Sequence, residues 1–397
     1  MNSNTRAPHY ERQVRMKVMA VVGARPNFMK AAPVVESLRQ RKGVEVMVIH
    51  TGQHYDREMS TLFFEELGMP RPHLDLQVGS GSHGEQTGQI MVRLEPVLKQ
   101  ARPDLVIVFG DVNSTVAAAL CAAKMGIAVA HVEAGLRSFD RTMPEELNRI
   151  VTDHLSDFLF TTEPSAEKNL CREGIAAEKI FPVGNAMVDT LLKHREHARS
   201  LRFSEKLGLR ASSYGILTLH RPSNVDKSEV FEEIFEAVRE VSVQLPIIFP
   251  CHPRTRQQVS KLCEEKSLSN RTDSHFNRNA QVMIIDPLGY LEFLSLMSEA
   301  RLVLTDSGGI QEETVVLGIP CLTLRENTER PITLEQGTNV LVGHSRERIL
   351  TEARKVLESG SPSAHIPDQW DGRAAQRIAD ILVSGRFHAN SSISSVH

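Results

Sequence analysis

Leu105-Val106-Ile107-Val108-Phe109-Gly110-Asp111-Val112-Asn113-Ser114-Thr115 decides how the chain is read. Five consecutive apolar residues leave no face for water. They fit a parallel strand covered on both sides, where an exposed strand would alternate. Gly110 turns the chain, and Ser114–Met125 then has helical length and amphipathicity. Strand, polar turn, helix is the unit of an α/β protein.

The same unit recurs on both sides of it. Apolar runs lie at Val18–Val22, Val44–Ile49 and Ile127–Val132, then at Ile216–Leu219, Ile247–Phe249, Met283–Ile285, Leu302–Leu304 and Pro320–Leu324. Met29–Gln40, Glu85–Lys99 and Ser228–Val241 are helix-length segments between them. The alternation predicts doubly wound parallel sheets. A chain of 397 residues suggests about two domains. The polar stretch at 192–213 marks the boundary, giving units 1–195 and 196–370. Residues 267–281 read as a surface loop, and the tail after Phe387 as disordered.

Composition narrows the function. A net charge of −3 and 5% aromatic residues argue against nucleic-acid binding. No run reaches the roughly 18–20 apolar residues of a membrane span. The N-terminus has no apolar leader, and the five cysteines form no CxxC pair. A cytoplasmic protein with reduced thiols and no metal site is expected.

In open α/β sheets, ligands sit beyond the carboxyl ends of the strands. The polar clusters of this sequence fall at such ends. Gly23–Lys30 brings Arg25 and Lys30 to a helix start, either as anion contacts or as solvated cations. Asp111 either caps the next helix or is free for chemistry, since Ser114 can cap equally well. Glu133 follows a buried strand, so it is paired with Arg137 or used. Glu145 opens a helix after Pro144, a common arrangement in itself. If Asp111, Glu133 and Glu145 converge, they supply acid and base to more than one face of a carbon.

In the second half, His220 and Arg221 suit a diphosphate, with Asn224 close behind. His252 is evenly balanced between structure and function. Thr305–Thr314 is the most informative turn: Ser307, Gly308 and Gly309 let backbone approach a phosphate at a helix N-terminus. Glu313, one turn in, can accept the hydroxyls of a ribose. No lysine follows the glycines, which excludes a P-loop, and no GxGxxG supports a nicotinamide cofactor. Arg330 can reach the same pocket. Phe293 either stacks on a base or belongs to the core.

GARPNFMK, TGQHYD, GDVNST, HVEAGLRS, MPEELNR, LHRPSN, DSGGIQEE and TERP, in order over residues 17–385, resemble the non-hydrolysing UDP-N-acetylglucosamine 2-epimerases. The resemblance implies two Rossmann-like domains facing a central cleft, as in GT-B enzymes. It also implies that a C-terminal helix, at about 371–390, packs back on the first domain. Asp111, Glu133 and Glu145 match the family's acid/base carboxylates, and His220 its catalytic histidine. Arg25, Lys30, Arg137, Arg221, Asn224, His252, Phe293, Ser307, Gly308, Gly309, Glu313 and Arg330 match or flank its UDP-sugar contacts. The implied reaction epimerises C2 of UDP-N-acetylglucosamine through a 2-acetamidoglucal, in a homodimer, with no cofactor. Two turns depart from the family pattern, at Thr51–Arg57 and at His220–Ser223. They leave open a second UDP-N-acetylglucosamine as activator, with Gln53, His54 and His252 retained, and a modified UDP-sugar as substrate. A hydrolysing epimerase and a GT-B glycosyltransferase are the alternative readings.

Overall fold

The computed structural model describes residues 16–53, 64–251, 255, 256, 258, 259, 282–360 and 365–384. His54, His252, the loop expected at 267–281 and the tail after Phe387 lie outside the described residues.

The first sheet contains β1 (Met16–Val22), β2 (Val44–His50), β3 (Leu74–Asp75), β4 (Leu105–Phe109), β5 (Ala128–Ala134), β6 (Phe158–Thr161) and β7 (Ile180–Pro182). Its helices are α1 (Arg25–Arg39), α2 (His83–Ala101), α3 (Asn113–Lys124), α4 (Pro144–Leu155), α5 (Pro164–Arg172) and α6 (Ala186–Ser200). The second sheet contains β8 (Gly215–Thr218), β9 (Ile247–Pro250), β10 (Val282–Ile285), β11 (Leu302–Thr305), β12 (Cys321–Thr323) and β13 (Asn339–Leu341). With it come α7 (Phe203–Lys206), α8 (Pro222–Val225), α9 (Ser228–Val241), α10 (Tyr290–Ser298), α11 (Gly308–Leu317), α12 (Ile332–Glu335) and α13 (Arg346–Ser359). The helix α14 (Ala374–Val383) follows.

Every strand pair is parallel. The orders are β3-β2-β1-β4-β5-β6-β7 and β10-β9-β8-β11-β12-β13. In each sheet the chain winds outward from a central strand, then returns to its other side. The reversals fall between β1 and β4, and between β8 and β11. Such switch points open a crevice at the strands' carboxyl ends. The strand runs are continuously apolar because helices cover both faces. In the first lobe α1, α6 and α14 pack on one face, and α2 and α3 on the other.

The segment 192–213 is mostly helical, since α6 runs to Ser200 and α7 follows. Its Lys, Arg, Glu, Ala and Leu residues are good helix formers. One apolar cluster spans both lobes, from Val18 and Ala20 through Leu191 and Leu294 to Ile216 and Val303. α14 docks on the first lobe: Ile378 and Leu382 join that cluster, and Arg41 pairs with Asp380 at 2.6 Å. Asp189 of α6 accepts the first free amides of α14, from Ala374 at 3.1 Å and Ala375 at 2.7 Å. Among the described residues no helix is long and apolar enough to cross a membrane.

Candidate active site

The first lobe's crevice is tied together by Asn27. Its side-chain oxygen accepts from the amides of Gly23 and Ala24, at 3.1 and 3.2 Å, and its amide donates to Phe109 O at 2.7 Å. The ends of β1 and β4 are thereby held side by side. Gly110 has φ +60, which favours glycine, and a Cβ there would press on Lys30 Nζ at 2.8 Å.

Glu133 has φ +74, which is strained for a residue with a side chain. It falls where the β5–β6 register shifts, between Val132 and Ala134. In an unbroken strand it would face the same side as His131, toward α4. The bulge re-aims its carboxylate to α1, where Lys30 Nζ lies 2.6 Å from Oε1. Arg330 of the second lobe reaches the same oxygen at 3.3 Å. Glu133 Oε2 is buried and has no hydrogen-bond partner among the described residues.

Asp111 does not cap α3, whose N-cap is Val112 without a side-chain bond. Ser114 does not cap it either: its hydroxyl donates to Gln53 Oε1 at 2.6 Å. Gln53 Oε1 also accepts the Ser114 amide, so that oxygen belongs to the α3 turn. Asp111 instead binds Arg149 at 2.6 Å. Arg149 also binds Glu146 at 2.7 Å. Glu146 in turn accepts from Ser138 and from the Phe139 amide. Of the adjacent acids, Glu146 is therefore the buried anchor. Glu145 is half-buried and has no side-chain partner among the described residues. The start of α4 faces the second lobe, with Met143 Sδ 3.9 Å from Arg221.

Arg137 is committed elsewhere. It holds Glu173 through two nitrogens, at 2.8 and 2.6 Å, and Asp153 at 2.7 Å. It does not pair with Glu133. Arg25 is exposed at the start of α1. Burial raises the pKa of Glu66, and the Arg25 charge is a minor opposing influence.

At the second switch point Asp306 is fully buried at the end of β11. It accepts from the His220 and Arg221 amides and from Asn224, and lies 2.7 Å from His220 Nδ1. Burial raises its pKa, but His220 and these hydrogen bonds outweigh burial and hold it below the usual carboxylate range. His220 itself is 61% exposed. Its Nδ1 is engaged by Asp306, which fixes the ring at the end of the turn. Asn224 directs both amide hydrogens inward, to Asp306 and to Leu324 O. It positions the turn and leaves no donor for a ligand.

Ser307, Gly308 and Gly309 open α11 as expected and are half-buried. At Gly308 the absent side chain makes room for Arg330, whose Nη1 lies 2.3 Å from where a Cβ would be. Arg330 pairs with Glu329, reaches Glu133, and approaches Glu312 to 2.8 Å without hydrogen-bond alignment. Glu329 also receives Arg325 at 2.6 Å and Arg221 at 3.6 Å. Glu313 is different. Burial pushes its pKa to about 8, with only the Tyr290 hydroxyl opposing at 3.1 Å. Glu312 is raised too, chiefly by burial. Phe293 sits half-buried on α10, packed against the shared core.

Sequence reasoning missed Asp306, Arg149, Glu146, Glu312 and Glu329. Each stands within four residues of a residue it did identify. The visible signal was charge at a strand end or one helical turn from a carboxylate. Among the described residues no cluster of His, Cys, Asp or Glu could hold a metal ion.

Two doubly wound lobes, each offering its switch point to the other across a charged cleft, define a GT-B-like α/β protein. Residues 36–383 match the family described as UDP-N-acetylglucosamine 2-epimerase, and the chain belongs to that family. It is 43% identical over 382 residues to UDP-N-acetylglucosamine 2-epimerase of Methanocaldococcus jannaschii, covering 94% of this chain and all of that one. It is 40% identical over 375 residues to UDP-2,3-diacetamido-2,3-dideoxy-D-glucuronate 2-epimerase of Pseudomonas aeruginosa, covering 92% and 99%. The crystal structure of the M. jannaschii enzyme with UDP-GlcNAc and UDP superposes with a TM-score of 0.84 at 42% identity, covering 93% of this chain and all of that one.

Proposed function

We propose that the protein interconverts UDP-N-acetylglucosamine and UDP-N-acetylmannosamine without releasing free sugar. One observation carries the reading. Glu133, a first-lobe carboxylate held in a strained backbone, meets Arg330 of the second lobe at 3.3 Å, so acid/base groups and nucleotide-binding groups share one cleft.

In this scheme a first-lobe carboxylate removes the C2 proton while the C1–O bond to UDP breaks. The electron pair leaves on the phosphate oxygen, and a C1=C2 double bond forms 2-acetamidoglucal. UDP then re-adds through that oxygen at C1, and a proton reaches C2 from the opposite face. Asp111, Glu133 and Glu145 are the proposed proton carriers. Lys30 and Arg149 orient Glu133 and Asp111 through ion pairs of 2.6 Å each. His220, held by Asp306, presents its outer nitrogen to the departing diphosphate, with Arg221 and the amides of Ser307–Gly309 around it. Glu313 accepts the ribose hydroxyls, and Phe293 lies beside the base.

The test is product NMR in deuterated water with UDP-N-acetylglucosamine. Deuterium at C2 in both UDP-sugars is expected. Retention of the C2 proton, or free N-acetylmannosamine as the product, overturns the proposal. The P. aeruginosa relative favours a second reading, a diacetamido-uronate UDP-sugar as substrate. A much higher kcat/KM for that sugar in the same assay selects it.

A further inference from the structure

The geometry points to Asp153 as the positioning residue for all three first-lobe carboxylates: it reaches the Asp111 turn through His131, the Glu133 bulge directly, and Glu145 through the helix they share. The inference rests on the epimerase reading above. Asp153 and His131 carry no role in that scheme, yet both are wholly buried.

Asp153 lies near the end of α4, the helix that carries Glu145, Glu146 and Arg149. Its Oδ1 is 2.7 Å from His131 Nδ1. The other ring nitrogen of His131 bonds to Gly110 O at 2.8 Å. That carbonyl belongs to the peptide that leads directly into Asp111. Asp153 Oδ2 accepts the Gly135 amide at 3.1 Å, which fixes the bulge that aims Glu133. One buried carboxylate thus ties the Asp111 turn, the Glu133 bulge and the Glu145 helix to a common point. Burial alone would raise the pKa of Asp153, but His131 and Arg137 outweigh it and keep the group ionised.

A rigid common anchor suits a two-face proton transfer. Removal and return at one carbon need carboxylates held to a fraction of an ångström relative to each other, and a misplacement of about 1 Å can cost about a hundredfold in rate. Glu173 supplies the contrast. It holds Arg137 from the partly exposed side, at 2.6 Å, and contacts neither turn.

The experiment compares Asp153→Asn, His131→Gln, His131→Leu and Glu173→Gln with the wild type. It reads kcat, KM, UDP affinity, melting temperature and the ratio of C2 deuterium exchange to inversion. Asp153→Asn is expected to lower kcat about ten- to a hundredfold. KM and UDP affinity stay within about twofold, and the exchange-to-inversion ratio changes. His131→Gln keeps a donor toward Gly110 O and is expected to retain more activity than His131→Leu. Glu173→Gln is expected to lower the melting temperature and leave the ratio unchanged.

A wild-type ratio and kcat in Asp153→Asn overturn the inference. So does a loss that only follows the folded fraction. If Asp153→Asn yields no folded protein, the His131→Gln and His131→Leu pair decides by the same ratio. A wild type that exchanges no C2 proton sinks the epimerase reading instead. Faster amide exchange at Gly135 in Asp153→Asn then still tests the anchor.

Discussion

The two switch points share a topology and solve opposite problems with their carboxylates. Between β1 and β4, Glu133 and Asp111 each face a cation, Lys30 at 2.6 Å and Arg149 at 2.6 Å. Between β8 and β11, Asp306 faces His220 and backbone amides, whereas Glu313, one turn into α11, faces only a phenol. Burial is nearly complete for Glu133, Asp306 and Glu313 alike. What differs is the partner. A cation or a fan of N–H groups keeps a buried carboxylate charged, and its absence lets burial neutralise the group. The first lobe therefore sets its carboxylates against cations, whereas the second keeps one carboxyl, Glu313, whose pKa burial pushes up to about 8.

The largest expected effect lies in the first lobe. Asp111→Asn, Glu133→Gln and Glu145→Gln should each lower turnover by about two decades or more, the usual range for losing an acid or base, while UDP still binds. Near-normal initial rates in all three would dissolve the contrast between the lobes. His220→Gln should follow, with a smaller loss in Asp306→Asn, which keeps the ring but not its charged anchor. If Asp306→Asn proves the more damaging, the buried acid matters for the fold of the turn rather than for the histidine.

The next effect is on binding. Glu313 has a folded pKa of about 8 against an ordinary 4.5. In the proposed contact, ribose hydroxyls donate best to the ionised form of Glu313, so UDP binding below pH 8 would require a proton to leave. Affinity should rise with pH up to about 8 and level off above it. Calorimetry in buffers of different ionisation enthalpy reads the released proton directly. Glu313→Gln should weaken binding several-fold and abolish the slope. The same group makes stability run the other way. The folded state holds a proton that the unfolded state gives up above pH 4.5, so stability from this group is lost as pH climbs from 4.5 toward 8. Thermal melts of Glu313→Gln should lack that decline. The smallest change expected is in Tyr290→Phe. Losing the phenol's hydrogen bond raises Glu313 further, so the rise in UDP affinity should move to higher pH. An unmoved curve would assign the Tyr290 contact to packing alone.

The winding of both sheets was legible because β1, β4, β8 and β11 are buried on both faces and read as unbroken apolar runs. β3 and β13, of two and three residues, are too short to leave a periodic signal. At the site, sequence located turns better than partners. Asp111 and Glu133 stood out because a charge at the end of an apolar strand is costly without a use. Which cation each meets depends on helices far along the chain, so the sequence offers nearby Arg137 as a possible partner of Glu133 and gives no sign of Lys30. Glu145 and Glu146 are neighbours in sequence, yet one is half-buried and the other fully buried, a difference set by Ser138 and Arg149 in three dimensions. The bulge at Glu133 breaks strand periodicity by a single residue, which no pattern of residue types announces.

α14 has a bearing on how the protein is made. Arg41 and Asp380, which clasp across the first lobe, are 339 positions apart in the chain. At about 5–20 residues per second, the ribosome needs roughly a quarter of a minute to a minute to travel that distance. During that interval the apolar side of α1 waits for a cover that has not yet been synthesised. The first lobe is thus the earliest to emerge and the last to be finished. A first-lobe fragment expressed without α14 should be poorly soluble, and a separately supplied α14 peptide should rescue it.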